Sequence, residues 1–200
     1  MSGTFPSTAF ETVNFKINTP TISSETLSGK RRRVGMGHSF YTFSAKMTNQ
    51  TARDFGAVSG FVAQQFGSLN SFQITLPEIS YSKSTNAPST TPTVTNTTAI
   101  GATSILLGNC GNTKMVLAAG DFFKFANHSK VYMCTTDCTS NSSGVATLYF
   151  SGGLVSSVPS STQLTITAVP FTVIFENEIQ EYTVGAGGIS VITLDMREVW

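Results

Sequence analysis

The chain has 200 residues, of which 12% are charged, and its formal net charge is +1. This length suits one domain, or a small domain with a second one inserted, and can bury a core without disulfides or metals. The weak charge excludes a field of one sign that would attract nucleic acid or a membrane surface. The sequence contains no run of about 18 apolar residues, so it predicts no membrane insertion.

The low charge has a second implication, because charged side chains normally keep soluble monomers from associating. A surface rich in Ser, Thr, Asn and Gly suits a protein whose faces are covered by neighbouring subunits, and it also suits an adhesin. Residues Met1 to Pro6 lack the basic start and apolar stretch of a secretory signal. Together with three cysteines, an odd number, this predicts synthesis in a reducing cytoplasm.

Strands are expected throughout the N-terminal part. Apolar and polar residues alternate from Phe10 to Ile17 and from Arg31 to Met47, and a shorter strand is expected over Thr21 to Thr26. Gly35 and Gly37 within the longest of these strands indicate a bulge or the close approach of another backbone.

A single helix is predicted near 51–66. Thr51 is a suitable N-cap with Asp54 three residues later, and Gly67 can end the helix. Apolar residues recur every three or four positions, so they share one face: Phe55, Val58, Val62 and Phe66. A strand over Ser71 to Leu76 is expected to follow.

The composition changes after residue 80. Residues Tyr81 to Thr98 are rich in Ser, Thr, Asn and Pro, which is typical of a linker or a long loop. Six short, closely spaced strands are then expected, which is typical of a compact sandwich or barrel: Thr103 to Leu107, Met115 to Ala118, Phe122 to Phe125, Lys130 to Thr135, Val145 to Phe150 and Gln163 to Thr167. Clean alternation returns in three C-terminal strands: Phe171 to Phe175, Gln180 to Val184 and Ser190 to Glu198.

These elements predict a mainly β fold with one short α-helix. Residues 1–80 plus 169–200 are expected to form a split β-barrel or β-sandwich domain around the helix. Residues 81–168 are expected to form a small inserted β-module. No internal repeat is visible, which argues against a solenoid or propeller.

Residues that could carry out chemistry are sparse. Cys134 and Cys138, with His128 and Cys110, could supply four ligands to zinc, but their spacing differs from a CxxC knuckle and a core role is the simpler interpretation. His38 and His128 are the only histidines, and no Gly-x-Ser-x-Gly motif identifies a nucleophile. The prediction is therefore that the chain is not an enzyme, with no catalytic residues, no metal and no other cofactor.

An acidic cluster lies near the C-terminal end. Glu176, Glu178 and Glu181 fall in one segment, and Asp195 and Glu198 in another. A glycosidase needs two carboxylates that face each other across a sugar. Clustered acids on a strand and its turn are more often a solvated or inter-subunit face.

A basic run, Lys30 to Arg33, holds four of the 12 basic residues. No aromatic residues are interleaved with it, so it does not predict specific nucleic-acid binding. It is either an edge strand that its charges protect from mispairing or a segment that docks on an acidic patch of another subunit. On the second interpretation, Arg31 and Arg33 are inter-subunit contacts, with Glu178 and Glu181 as their partners.

Several short motifs follow one another through the second half of the chain: Gly120 to Phe125, His128 to Met133, Thr136-Asp137, Ala146 to Leu148, Pro170 to Val173, Gln180 to Tyr182 and Leu194 to Val199. Their order resembles a group of bacteriophage minor tail and distal-tail-like proteins, which are baseplate hub proteins. The helix that leads into Leu69 to Phe72 fits the same pattern. The resemblance spans most of residues 30–200, and its motifs are structural rather than catalytic.

The resemblance implies a structural protein of the viral tail. Such proteins form a ring, usually a hexamer, at the distal end of the tail tube, where the split domain lines the ring and the inserted module points outward. The implied partners are other copies of the chain, the tail tube protein, and baseplate or hub proteins. The implied location is the virion tail, after synthesis in the host cytoplasm. A ring requires a heterologous interface, in which one patch meets a different patch on the neighbour.

A different class of function also fits the sequence, namely a receptor- or glycan-binding β-module of a fibre or adhesin. Aromatic residues of the second half could form a platform for a sugar, although alternation more often places such residues in a core: Tyr81, Phe122, Phe123, Tyr132 and Tyr149.

Overall fold

A computed structural model describes residues 3–6, 9–35, 37–185 and 188–200, with nothing given for the side chain of Ala52. The fold is mainly β with a single short α-helix, which confirms the predicted fold class. Within the described residues the strands form several separate sheets, and none of these closes into a barrel, which is consistent with a sandwich-like fold.

The described residues contain seventeen strands and one helix. In chain order they are β1 (Phe10–Asn18), β2 (Thr21–Glu25), β3 (Arg31–Gly35), β4 (Phe40–Met47), β5 (Gln50–Thr51), α1 (Ala52–Gln64), β6 (Phe72–Ile74), β7 (Thr93–Val94), β8 (Ser104–Gly108), β9 (Met115–Leu117), β10 (Phe122–Phe125), β11 (Val131–Met133), β12 (Cys138–Thr139), β13 (Ala146–Tyr149), β14 (Leu164–Thr165), β15 (Phe171–Phe175), β16 (Tyr182–Val184) and β17 (Ile189–Glu198).

Contacts divide the chain into two compact units. Unit 1 comprises residues 1–17, 41–77 and 170–200, and unit 2 comprises residues 18–40 and 78–169. Residues 18–40 thus group with unit 2, whereas the predicted domains place them with the N-terminal part. The domain boundaries at 81 and 168 stay a prediction.

The sheet of unit 1 is built around β17. Its order is β1-β4-β17-β15-β6, and β5 and β16 also pair with β17. Alternation along β17 buries Ile192, Leu194 and Met196, as the period of two in a strand requires. Glu198 at the end of this strand is buried too, and its Oε2 accepts a hydrogen bond from the backbone N–H of Tyr41 at 3.3 Å.

Aromatic rings fill the core of unit 1. One group joins Phe15, Tyr41, Phe43 and Phe171, with ring centroids 5.2 to 6.0 Å apart. A second group joins Phe5, Phe61, Phe72 and Phe175, with centroids 4.9 to 6.2 Å apart. Large rings of this kind bury a large apolar area each and favour such offset or edge-on packing.

Helix α1 begins as predicted. Thr51 is its N-cap, and the Thr51 hydroxyl accepts a hydrogen bond from the Asp54 N–H while donating one to the Asp54 carboxylate. Phe55 and Val58 are buried. The prediction for Phe66 was wrong: it lies beyond the helix end with φ +52° and is 73% exposed. No helix in the described part of the chain is long and apolar enough to cross a membrane.

The long strand predicted over Arg31 to Met47 is two strands, β3 and β4. Gly37 lies between them with φ +84°, a left-handed conformation that glycine adopts without strain. Its carbonyl accepts a hydrogen bond from the Gly153 N–H at 3.0 Å. A Cβ at this position would meet no other atom within 4 Å, so the positive φ, and not the approach of another backbone, favours glycine between β3 and β4.

The described part of unit 2 contains four small sheets: β11-β10-β14, β12-β9, β13-β8-β7 and β2-β3. The first three surround one core that includes Phe123, Phe125, Tyr132, Leu148 and Phe150. All six strands expected between 103 and 167 are present, and β7 and β12 were not predicted. These two have only two residues each, too few for a periodic pattern to be visible.

Candidate functional site

The basic run folds into a two-stranded ribbon, here called the basic hairpin (residues 21–35). Strands β2 and β3 pair antiparallel, with Thr21 opposite Gly35 and Glu25 opposite Arg31. The Thr26 N–H donates to the Lys30 carbonyl at 3.0 Å and closes the turn, in which Gly29 has φ +77°. Every residue of the basic hairpin is exposed.

The two faces of the basic hairpin differ in chemistry. Because side chains alternate along each strand, one face, here called the apolar face, carries Ile22, Ser24, Arg32 and Val34. Ile22 and Val34 are directly opposite each other and are 60% and 65% exposed. The other face, here called the polar face, carries Thr21, Ser23, Glu25, Arg31, Arg33 and Gly35, all of them polar except the glycine.

Both predicted contact arginines lie on the polar face. The Arg31 Nε donates to the Glu25 Oε2 at 2.8 Å, so this guanidinium already has a partner within the hairpin. Arg33 is exposed on the same face. Among the residues that the structure describes, no ion pair involves Arg32 or Arg33.

The predicted acidic partners lie in the segment between β15 and the end of β16, here called the acidic edge (residues 176–184). The Glu176 N–H donates to the Asp195 carbonyl at 2.9 Å, and the Gln180 amide donates to the Asn177 carbonyl at 2.7 Å. Glu176, Glu178 and Glu181 are exposed. The sequence has no Lys or Arg from residue 170 to 196, so nothing nearby in sequence offsets these charges.

Two concavities flank the acidic edge and share Gln180. One, of about 330 Å³, is bordered by Glu178 and lies beside α1; its lining is Ser59, Val62, Ala63, Gly67, Glu178, Gln180, Tyr182 and Ile192. The other, of about 370 Å³, contains Glu181 and is more polar; its lining is Asn177, Ile179, Gln180, Glu181, Thr183, Val191, Thr193 and Asp195. Ile179, which lines the second concavity, is 84% exposed.

The four predicted contact residues differ in their surroundings. Arg31 is paired with Glu25 within the basic hairpin, Arg33 is exposed, and Glu178 and Glu181 are exposed on the acidic edge. Their pairing between copies stays a prediction. Arg32 was not singled out, because only the register of the hairpin shows which arginine shares a face with Ile22 and Val34.

The cysteines and His128 lie within unit 2. Burial raises the pKa of Cys110 and Cys134 to about 11 and that of Cys138 to about 12, whereas zinc binds the thiolate. The His128 ring nitrogens lie 2.9 Å from the Asn127 Oδ1 and the Tyr132 hydroxyl. Within the described ranges, no group of three or more His, Cys, Asp or Glu residues is arranged to hold a metal ion.

The other candidate residues are dispersed. His38 is exposed, and its Nδ1 lies 3.3 Å from the backbone carbonyl of Gly153. Of the five aromatic residues considered for a sugar platform, Phe122, Phe123 and Tyr132 are buried, and only Tyr81 and Tyr149 are exposed. The suggested platform is therefore not a continuous surface.

Asp121, the second residue of the motif Gly120 to Phe125, holds together two segments of unit 2. It is 1% exposed, and its carboxylate accepts hydrogen bonds from the Ser82 hydroxyl at 2.6 Å, the Lys83 N–H at 3.1 Å and the Ala118 N–H at 2.9 Å. Asp121 thereby joins the chain after residue 80 to the turn before β10. These hydrogen bonds give the motif Gly120 to Phe125 a structural role.

No protein-family model matches the chain, and no curated protein matches its sequence. Function is therefore inferred from the two charged surfaces and from the order of the motifs.

Proposed function

We propose that this chain is a non-enzymatic structural subunit of a bacteriophage tail, which forms a ring at the distal end of the tail tube and connects it to the baseplate or fibres. The observation that carries the proposal is the basic hairpin, whose residues are exposed on both faces. A two-stranded ribbon is marginally stable at best in water. An exposed ribbon of this kind would be stabilised by contact with a neighbouring subunit.

The surface chemistry supports an assembly. A chain with 12% charged residues and a net charge of +1 has little to resist self-association. Its charges are nevertheless segregated, with a basic hairpin in one unit and an acidic edge in the other. A heterologous interface, which a ring needs, joins two such different patches.

The proposed partners are other copies of the chain in a ring, hexameric as in the proteins it resembles, together with the tail tube protein and baseplate or hub proteins. The proposed location is the tail of the virion. The division into two units suits this role, because each unit supplies one of the two charged patches.

The test is the mass of the assembled species. Native mass spectrometry of the full chain, with electron cryomicroscopy of the same sample, should give one closed ring of defined copy number, and the chain should be detected in purified tails. A variant in which residues 22–34 are replaced by a short Gly-Ser loop should stay folded, with the thermal unfolding transition retained in circular dichroism, but should lose the ring. A chain that stays monomeric at high concentration and is missing from tails would refute the proposal.

A second candidate function is binding of a receptor or glycan by the inserted module. A concavity of about 490 Å³, lined largely by Ser, Thr and Pro of residues 82–92 and 164–167, favours it. Several of its hydroxyls already donate inward, such as Ser82 to Asp121 and Ser84 to the Met115 carbonyl. Binding of the full chain on a glycan array, lost in a Thr165→Ala variant, would support this function over a purely structural role.

A further inference from the structure

The geometry points to the two surfaces that join neighbouring copies: the apolar face of the basic hairpin of one copy covers the acidic edge of the next, with Arg32 against Glu178 and Glu181. This inference rests on the ring-forming part of the proposed function and specifies its interface. The partner is a second copy of this chain.

The apolar face is the better candidate for an interface, because its apolar side chains are exposed while the polar face already contains an ion pair. On the polar face, Arg31 and Glu25 already form an ion pair at 2.8 Å. On the apolar face, Ile22 and Val34 form a cross-strand pair that is well over half exposed, and Arg32 lies beside them. Interfaces bury apolar side chains at their centre and leave charges at the rim. The apolar face has both components.

The acidic edge offers the complementary arrangement. Glu178 borders a concavity of about 330 Å³ that Val62, Tyr182 and Ile192 line in part. Branched apolar side chains such as those of Ile22 and Val34 suit such a lining. Glu178 lies at the rim of this concavity, and Glu181 lines the neighbouring one. An arginine at the border of an apolar patch would therefore meet carboxylates.

The occupant is a copy of the chain because the complementarity lies within the sequence itself. Four of the 12 basic residues are at 30–33, and three of the 11 acidic residues are at 176–181. Opposite patches of this kind steer association and fix its register. Since the two patches are different surfaces, each copy can bind one neighbour through its hairpin and another through its acidic edge. A closed ring requires a heterologous interface of this kind.

The experiment uses two full-length variants, each with one altered patch. Arg32→Glu alters the hairpin, and Glu178→Lys with Glu181→Lys alters the acidic edge. Each variant alone should be monomeric in sedimentation velocity, with association weakened on the order of a hundredfold by the like charges. Mixed in equal amounts, they keep one unaltered interface, formed by the hairpin of the second and the edge of the first. The other interface then pairs the two altered patches, whose charges are again opposite, so the mixture should regain association that neither variant shows alone.

Arg33→Glu is the matched control, since it changes net charge equally on the opposite face of the same strand. It should still form the ring, with at most a few-fold weaker association. Weakening equal to that of Arg32→Glu would overturn the choice of face. If both patch variants form rings alone, or if their mixture stays monomeric, the inferred pairing is wrong while the proposed ring function stands. A wild-type chain that never assembles would overturn both.

Discussion

Strand β10 and strand β3 both belong to unit 2, both pair antiparallel with a neighbour in register, and have opposite surroundings. In β10 every residue but Lys124 is buried, whereas every residue of β3 is exposed. Backbone hydrogen bonds are present in both, and each contributes only about 1 kcal/mol net. The difference shows that pairing gives a strand its shape, while burial decides whether the strand is held in place by its own chain.

The largest expected effect tests that contrast directly. Phe125 is fully buried among the rings of Phe123, Tyr132 and Phe150, so Phe125→Ala should lower the free energy of unfolding by about 4 kcal/mol because it leaves a cavity. Ile22→Ala, on the exposed hairpin, should change it by no more than about 0.5 kcal/mol. Urea unfolding followed by circular dichroism measures both. Similar losses for the two variants would mean that the hairpin is covered by its own chain.

The next largest effect is expected from loss of the buried carboxylate of Asp121, since the exposed basic hairpin has no buried polar group of this kind. Asp121→Ala leaves the Ser82 hydroxyl and the backbone N–H groups of Lys83 and Ala118 without their acceptor, and should cost about 3 kcal/mol. Asp121→Asn, which keeps the shape and one oxygen acceptor, should cost less. Urea midpoints of the two variants give the comparison, and a neutral Asp121→Ala would contradict the assigned role.

The three buried thiols predict a loss of stability at alkaline pH. Burial raises their pKa from 9.0 to about 11 or 12, so the folded chain keeps them neutral while the unfolded chain ionises. Stability is therefore full below about pH 9 and falls as pH rises toward 11, by about 1.4 kcal/mol per pH unit for each thiol. Urea midpoints between pH 8 and 11 should show this slope, and Cys138→Ala should flatten it. An unchanged slope in that variant would refute the assignment.

The smallest effect is expected for the ion pair of the basic hairpin. Arg31 and Glu25 are both largely exposed, so Glu25→Gln should change the free energy of unfolding by at most about 0.5 kcal/mol. Exposed pairs gain little because water and salt screen them. A loss above about 1 kcal/mol in urea unfolding would show that the hairpin contributes to the stability of the isolated chain.

Sequence patterns predicted the elements that are half buried. Alternation located β1, β4 and β17 because one face of each meets a core, and Thr51 and Asp54 located the start of α1. The same alternation extended β3 into β4, since a period of two does not reveal the left-handed conformation of Gly37 between them. Local patterns also could not show that residues 21–35 remain exposed, because burial depends on what the rest of the chain places nearby.

The candidate surfaces were predictable only in part. The composition identified Lys30 to Arg33 and Glu176 to Glu181 as the charged clusters, and the structure places both on exposed segments. The residues that share a face were not predictable, because β3 was expected to continue as a long strand instead of folding back on β2. Register, which pairs Ile22 with Val34 and Glu25 with Arg31, depends on the turn at Gly29.

The exposed ribbon also makes the free subunit vulnerable to proteolysis. Trypsin cleaves after lysine and arginine, and four consecutive sites at Lys30 to Arg33 lie on a solvent-exposed hairpin next to its turn. A copy outside an assembly would be nicked there first, into fragments of about 30 and 170 residues by position, while a copy whose hairpin is covered would resist. Digestion patterns would thus report, in a crude lysate and without purification, the fraction of copies whose basic hairpin is covered in the proposed assembly.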